Sequence, residues 1–192
     1  IEIHLGFECE YIKERIPYYK HLLKDGIVEY LILGQHYVEY KGKKDCWISH
    51  FVELGKPEYF SKIYYKHLKA AVKSGLFTYI AHPDFYILGF ESPNERFLKV
   101  ARKICKLAKR HNIPLEINLN GIKNYHNHPN RPTWYPNDEF FKVVSEVGND
   151  VIIGIDAHEV DFFDKADYAY AYHLIEKHNL HEITRLNFKK HC

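Results

Sequence analysis

The sequence predicts an α/β fold built on parallel strands. Apolar runs of strand length alternate with amphipathic stretches of helix length about five times along the chain. Parallel strands need long crossovers, and helices of this size supply them, so the alternation points to a parallel sheet or barrel. With 192 residues, 46% hydrophobic and 27% charged, a single domain over 1–192 accommodates the whole pattern.

Ile1 to Leu5 reads as the first strand, a helix follows near Ile12 to Lys24, and Val28 to Gly34 reads as the second strand. His36 to Gly55, rich in Lys, Gly and aromatic residues, is expected to be a loop over a site. Pro57 to Ser74 is helical, with Ile63, Leu68, Ala71 and Val72 on its apolar face, and Gly75 as C-cap leads to a strand from Phe77 to Ala81. Ser92-Pro93-Asn94-Glu95 combines capping-box spacing with proline at the first helical position. Phe97, Val100, Ala101, Ile104, Leu107 and Ala108 then recur at helical spacing, with Cys105 beside that stripe as a packing residue. Pro114 to Asn118 reads as a short strand, Asn120 to Tyr135 as a polar loop, and a helix is expected from Pro136. Val151 to Ile155 is the last expected strand, and Asp164 to His178 the last helix.

Composition narrows the function classes. Net charge is +2, and the basic residues lie scattered apart from short clusters such as Lys41 to Lys44, so no nucleic-acid partner is expected. Cys9, Cys46, Cys105 and Cys192 have no paired spacing and read as reduced thiols of a cytoplasmic protein. No apolar run approaches the roughly 18 residues of a membrane span, and no leader is evident. The 14 histidines are many for a residue type outside the commonest ones, which hints at metal. The absence of methionine, in a chain that opens at Ile1 inside an alternating apolar segment, creates the expectation that residues precede Ile1 in the protein.

In parallel βα architecture, side chains at the carboxyl ends of strands converge on one mouth. Reading just past each expected strand finds Glu8, His36, His82, and Asp156 with His158; Glu116 lies inside the strand from Pro114 to Asn118. Imidazoles suit zinc, iron and manganese, and carboxylates can bridge cations, so the mixture favours several divalent metals. Neighbouring divalent metals suit phosphate-ester hydrolysis. One histidine after a strand is more often a loop or cap residue, so the weight rests on joint placement. Asp84, preceded by Pro83, reads as a cap and is left out of the ligand set; His126 and His128 read as solvated loop residues, and His4 as structural.

Leu5-Gly6-Phe7-Glu8-Cys9-Glu10-Tyr11, Ile32-Leu33-Gly34-Gln35-His36, Ile80-Ala81-His82-Pro83-Asp84, Leu115-Glu116-Ile117-Asn118 and Gly154-Ile155-Asp156-Ala157-His158 together resemble the polymerase and histidinol phosphatase (PHP) superfamily, with the histidinol-phosphatase branch nearest in likeness. The resemblance runs through nearly the whole chain in order. It implies a distorted seven-stranded βα barrel with up to three divalent metals, zinc, iron or manganese, and a small-molecule phosphate ester as substrate. It would make Glu8 a bridge between two metals, with His36 and His82 completing one shell, Asp156 binding the metal shared with Glu8, and His158 binding the third. Asp156 and His158 would thereby serve catalysis. Arg131 is similar to a substrate-loop arginine that clamps phosphate, its alternative being a surface arginine. Glu116, Asn118 and Asn120 would face the rest of the substrate. The family's first strand ends in a His-x-His segment that none of the residues before Glu8 supplies, so the domain is expected to lack its first strand or strands in this sequence. The implied reaction is hydrolysis of L-histidinol phosphate in histidine biosynthesis. Action on another phosphomonoester or nucleotide, and a non-catalytic metal-stabilised module, are the other readings; oligomeric state is left open.

Overall fold

The chain, described by a computed structural model over residues 2–127, 130 and 132–186, alternates strands and helices as expected. β1 (Gly6–Cys9) leads through a 3-10 turn into α1 (Ile16–Lys24) and β2 (Tyr30–Leu33). A hairpin of β3 (Val38–Tyr40) and β4 (Lys43–Cys46), then α2 (Ile48–Glu53), precede α3 (Pro57–Ser74) and β5 (Tyr79–Ile80). After a 3-10 turn over Phe85–Gly89 come α4 (Glu95–His111), β6 (Leu115–Asn118), α5 (Leu119–Asn127), α6 (Asp138–Val147) and β7 (Asp150–Gly154). α7 (Phe162–Lys165), α8 (Tyr168–His178) and β8 (His181–Glu182) complete the order.

Six strands form one sheet in the order β1-β2-β5-β6-β7-β8, and every neighbouring pair is parallel. The antiparallel hairpin β3-β4 stands outside it. All carboxyl ends of the large sheet therefore point one way, which is the property the site uses. β6 is buried along its whole length, as a strand covered on both faces must be. β1 is an edge strand; its Phe7 is exposed, as are Ile3 and Leu5 just before it.

α4 packs against both α3 and α6. Their helical spacing turns Phe60, Tyr64, Leu68, Phe97, Ile104, Phe140 and Phe141 inward, all fully buried. Phe97 stacks on Tyr86 at 5.1 Å between centroids and meets Phe140 at 6.5 Å, which ties the turn after β5 to the helical layer. No helix among the described residues is long and apolar enough to cross a membrane.

Several elements depart from expectation for local reasons. Among the described residues the first strand begins at Gly6; before it the Leu5 N–H bonds the Glu29 carboxylate at 3.0 Å instead of a neighbouring carbonyl, while the Leu5 carbonyl accepts the Glu29 N–H at 2.8 Å. The segment expected as a loop from His36 to Gly55 contains the β3-β4 hairpin and α2. α4 is capped by Asn94, whose Oδ1 accepts from the N–H of Arg96 and Phe97 at 3.0 and 3.1 Å; Ser92 is displaced as cap and Pro93 stands before the helix. The first half of the loop expected from Asn120 to Tyr135 is α5, started by Asn118 Oδ1 accepting the Gly121 N–H at 2.8 Å. The next helix starts at Asp138, two residues after Pro136. The last helix is broken because Asp167 caps a new start, accepting from the Ala169 N–H at 3.0 Å.

Phe97→Ala empties a site at the junction of helical layer and sheet, at a cost of about 3–5 kcal/mol. Thermal unfolding followed by circular dichroism should show a midpoint lower by roughly 10 °C; an unchanged midpoint would contradict this packing.

Candidate metal centre

Glu8 lies within β1, whereas the expected strand ended three residues before it; His36 follows β2 by three residues, and His82 follows β5 by two. The parallel register brings these three together: each offers a ligand atom within 4.8 Å of the others. His82 Nε2 is 3.3 Å, and His36 Nε2 3.9 Å, from Glu8 Oε1. Ligands sharing one ion at ~2.0–2.2 Å stand ~3–4 Å apart, so this donor set fits one divalent cation with little rearrangement. Asp156 and His158 fall outside that group but line the same cavity of about 540 Å³, together with Glu8, His36, Trp47, Phe85, Leu88, Asn120, Asn124 and Tyr135.

Each donor is held from behind. Glu116 is buried beneath the cavity, and its Oε2 accepts the His82 backbone N–H and an Asn118 side-chain N–H, both at 2.9 Å. Asn118 and Asn120 each donate to Asp156 Oδ2 at 3.2 Å, so that Oδ1 carries none of these amide bonds. His158 Nδ1 stands 3.0 Å from the Asp156 carbonyl oxygen, and the ring is exposed at the mouth. Glu10, given no role in sequence reading, takes the backbone N–H of His36 and Tyr37 and faces His36 Nδ1 at 2.9 Å. Trp47 stacks on the His36 ring at 5.7 Å with planes 4° apart. Asp84 makes no cap bond; its Oδ2 instead accepts the Asn137 N–H at 2.6 Å.

His82 and Asp156 both have positive φ, +29° and +50°. Non-glycine residues there cost on the order of 1–3 kcal/mol each and persist only where the surroundings hold them. For His82 the holders are Glu116 on its N–H and the buried Tyr64, whose hydroxyl donates to the His82 carbonyl at 3.3 Å.

Charge inside the site is one-sided. Among the described residues, no lysine or arginine pairs with Glu8, Glu116 or Asp156. Burial pushes Glu116 up to about 7 and Asp84 to about 7. Burial also raises Glu8, but hydrogen bonding to His82 and the charges of His82, His36 and His158 outweigh it and leave the carboxyl below its ordinary value. Burial opposes charging of His82, yet the Glu8 hydrogen bond and the carboxylates of Glu8, Glu116 and Asp156 raise it to about 9. Such a carboxylate-rich pocket favours a bound cation.

Two glycines make room for the carboxylates. A Cβ on Gly34 would overlap the Glu8 carboxylate, and one on Gly154 would overlap that of Glu116. Of the other expected site residues, Glu116 and Asn118 lie beneath the cavity floor and Asn120 faces it. Arg131 and His128 lie outside the described residues. His126 is exposed, 3.9 Å from Asp167.

The fold and site define an α/β protein with ligand-type side chains gathered at the carboxyl ends of a parallel sheet. No family model and no curated protein matches the chain. Solved structures that share the fold include two described as phosphatases. One is a protein of Listeria monocytogenes described as a histidinol phosphatase, hisK, with TM-score 0.70 and 20% identity over 88% of this chain and 68% of that one. The other is the histidinol phosphate phosphatase HISK of Lactococcus lactis, in complex with zinc, L-histidinol and phosphate, with TM-score 0.67 and 16% identity over 97% of this chain and 70% of that one.

Gly34→Ala should drive the Glu8 carboxylate out of the ligand cluster. Zinc affinity measured by chelator competition is expected to fall by about 10–100-fold, the range for loss of a ligand's support; affinity equal to that of the unaltered protein would rule out this arrangement.

Proposed function

We propose that the chain is a metal-dependent phosphomonoester hydrolase of the PHP type, a cytoplasmic histidinol-phosphatase that converts L-histidinol phosphate and water to L-histidinol and phosphate. Its single domain over 1–192 belongs to a distorted (β/α)7 barrel. The observation that carries the reading is the convergence of Glu8, His36 and His82 at parallel strand ends, beside Asp156 and His158 in one cavity. Likeness of fold to a protein described as a histidinol phosphatase and to a histidinol phosphate phosphatase bound to zinc, L-histidinol and phosphate supports the choice of substrate.

Glu8, His36 and His82 would hold one divalent ion, and Asp156 and His158 would contribute to further sites, up to three ions of zinc, iron or manganese. Bound there, the ions would supply Lewis-acid activation of water and neutralise the phosphate. The protein's own groups do the rest. Asn118 and Asn120 turn the Asp156 carboxylate so that Oδ1 faces the mouth, 3.6 Å from His158 Nδ1. From there Asp156 would assist departure of the leaving alkoxide by supplying its proton. Trp47, Phe85 and Tyr135 wall the cavity with apolar surface that excludes water and suits a planar imidazole. Arg131 would clamp the phosphate with its planar fork and Asn120 would meet the amino alcohol, while Glu116 and Asn118 brace the ligands from below.

Protein loaded with zinc or manganese should release phosphate from L-histidinol phosphate, lose that activity on chelation, and prefer this ester to a nucleotide monophosphate. Asp156→Asn is expected to lower kcat by about 10²–10⁴-fold, the range for removing a proton-transfer group. No phosphate release by the metal-loaded protein would sink the proposal.

A further inference from the structure

We propose that Glu10 is the positioning residue of the metal centre: its carboxylate sets the tautomer and orientation of His36, so that Nε2 is delivered to the cation site shared with Glu8 and His82. The inference rests on the metal-centre reading above and assigns a role to a side chain outside the three-residue ligand group.

Glu10 makes four contacts with the segment that carries His36. Its oxygens accept the His36 N–H at 2.9 and 3.1 Å and the Tyr37 N–H at 3.3 Å, and Oε1 stands 2.9 Å from His36 Nδ1. A carboxylate that accepts two backbone N–H groups has no proton to offer the ring, so Nδ1 must be the donor. The lone pair of a neutral imidazole then resides on Nε2, the nitrogen that faces Glu8 at 3.9 Å. Trp47 fixes the ring plane by stacking on it, and Phe85 meets its edge at 5.3 Å. Those two contacts still leave a ring flip about χ2 that would exchange Nδ1 for a carbon. Glu10 removes that freedom. It lies two residues from Glu8, so one short segment carries both a ligand and the group that orients a second ligand on the neighbouring strand's loop.

The test compares Glu10→Gln, Glu10→Ala and His36→Ala. The amide introduced by Glu10→Gln can keep its oxygen on the two backbone N–H groups but turns an N–H donor toward Nδ1, which forces the ring proton to Nε2. Long-range proton–nitrogen correlation spectra of the metal-free protein should show His36 protonated at Nδ1, and at Nε2 in the Glu10→Gln variant. Zinc affinity by chelator competition is expected to fall about 10–100-fold in that variant, with the metal-free thermal midpoint unchanged. Glu10→Ala should lose the same affinity and also unfold at lower temperature. Zinc affinity retained in Glu10→Gln but lost in His36→Ala would overturn the role of Glu10 alone. Retention in His36→Ala would overturn the metal centre and this role with it. A Glu10→Gln variant that loses midpoint as Glu10→Ala does would make Glu10 a purely structural residue and overturn the proposal.

Discussion

The contact between the buried His82 and the partly exposed Glu8 carboxylate is the interaction on which the rest of the site depends. His82 is 1% exposed and stands among the carboxylates of Glu8, Glu116 and Asp156, which together outweigh the burial that would otherwise strip its charge. Breaking that arrangement leaves negative groups in a pocket where no lysine or arginine among the described residues compensates them. The pocket is therefore stable with positive charge at its centre, either on an imidazole or on a bound cation. The gathering of these side chains is built into the fold, because a parallel sheet sends the carboxyl end of every strand to the same side, and their residue types give the pocket its sign.

Holding those groups requires a stiff frame. His82 and Asp156 adopt positive φ, and each sits between a strand and a turn that cannot relax without disturbing the sheet. The frame is aromatic on the helical side: Tyr64 binds the His82 and Pro83 carbonyls, and its ring stacks on Phe60 while Tyr86 stacks on Phe97. Strain at the ligands and dense packing of α3 and α4 are thus parts of one arrangement. The packing overdetermines the turn after β5, and the turn then presents His82 in a conformation it would not otherwise hold.

The course of the chain was legible because its strands and helices obey strong periodicities. α3 runs over Pro57–Ser74 as its pattern indicates, and Gly75 caps it with φ +71°. The ligand-type residues Glu8, His36, His82, Asp156 and His158 were legible as residue types at strand ends; all but His82 line one cavity, and His82 stands 3.3 Å from Glu8. What was hidden depends on contacts between strands. Nothing local in Leu33-Gly34-Gln35 states that Gly34 must leave space for Glu8, since that follows from the register of β1 on β2. α5 was masked by a composition that favours loops, and it forms because Asn118 supplies a start signal from inside β6. The β3-β4 hairpin was masked in the same way, by a Lys- and Gly-rich stretch whose two positive-φ turn residues, Lys41 and Gly42, reverse the chain.

A spacing of two residues recurs wherever the site is built, and it explains why so few elements suffice. Glu116 and Asn118 share one face of β6, and the amide of the second joins the carboxylate of the first to Asp156. Glu8 and Glu10 repeat the spacing at the end of β1, where one residue faces the cation site and the other holds His36. Asp156 and His158 repeat it after β7, with the positive φ of Asp156 turning the chain so that His158 folds back on the Asp156 carbonyl. In the first two cases the support acts across strands: Glu116 and Asn118 of β6 hold the His82 N–H and the Asp156 carboxylate, and Glu10 after β1 holds His36 after β2. Each such bond ties a ligand-bearing segment to a neighbouring strand, which is what a centre assembled from distant segments requires.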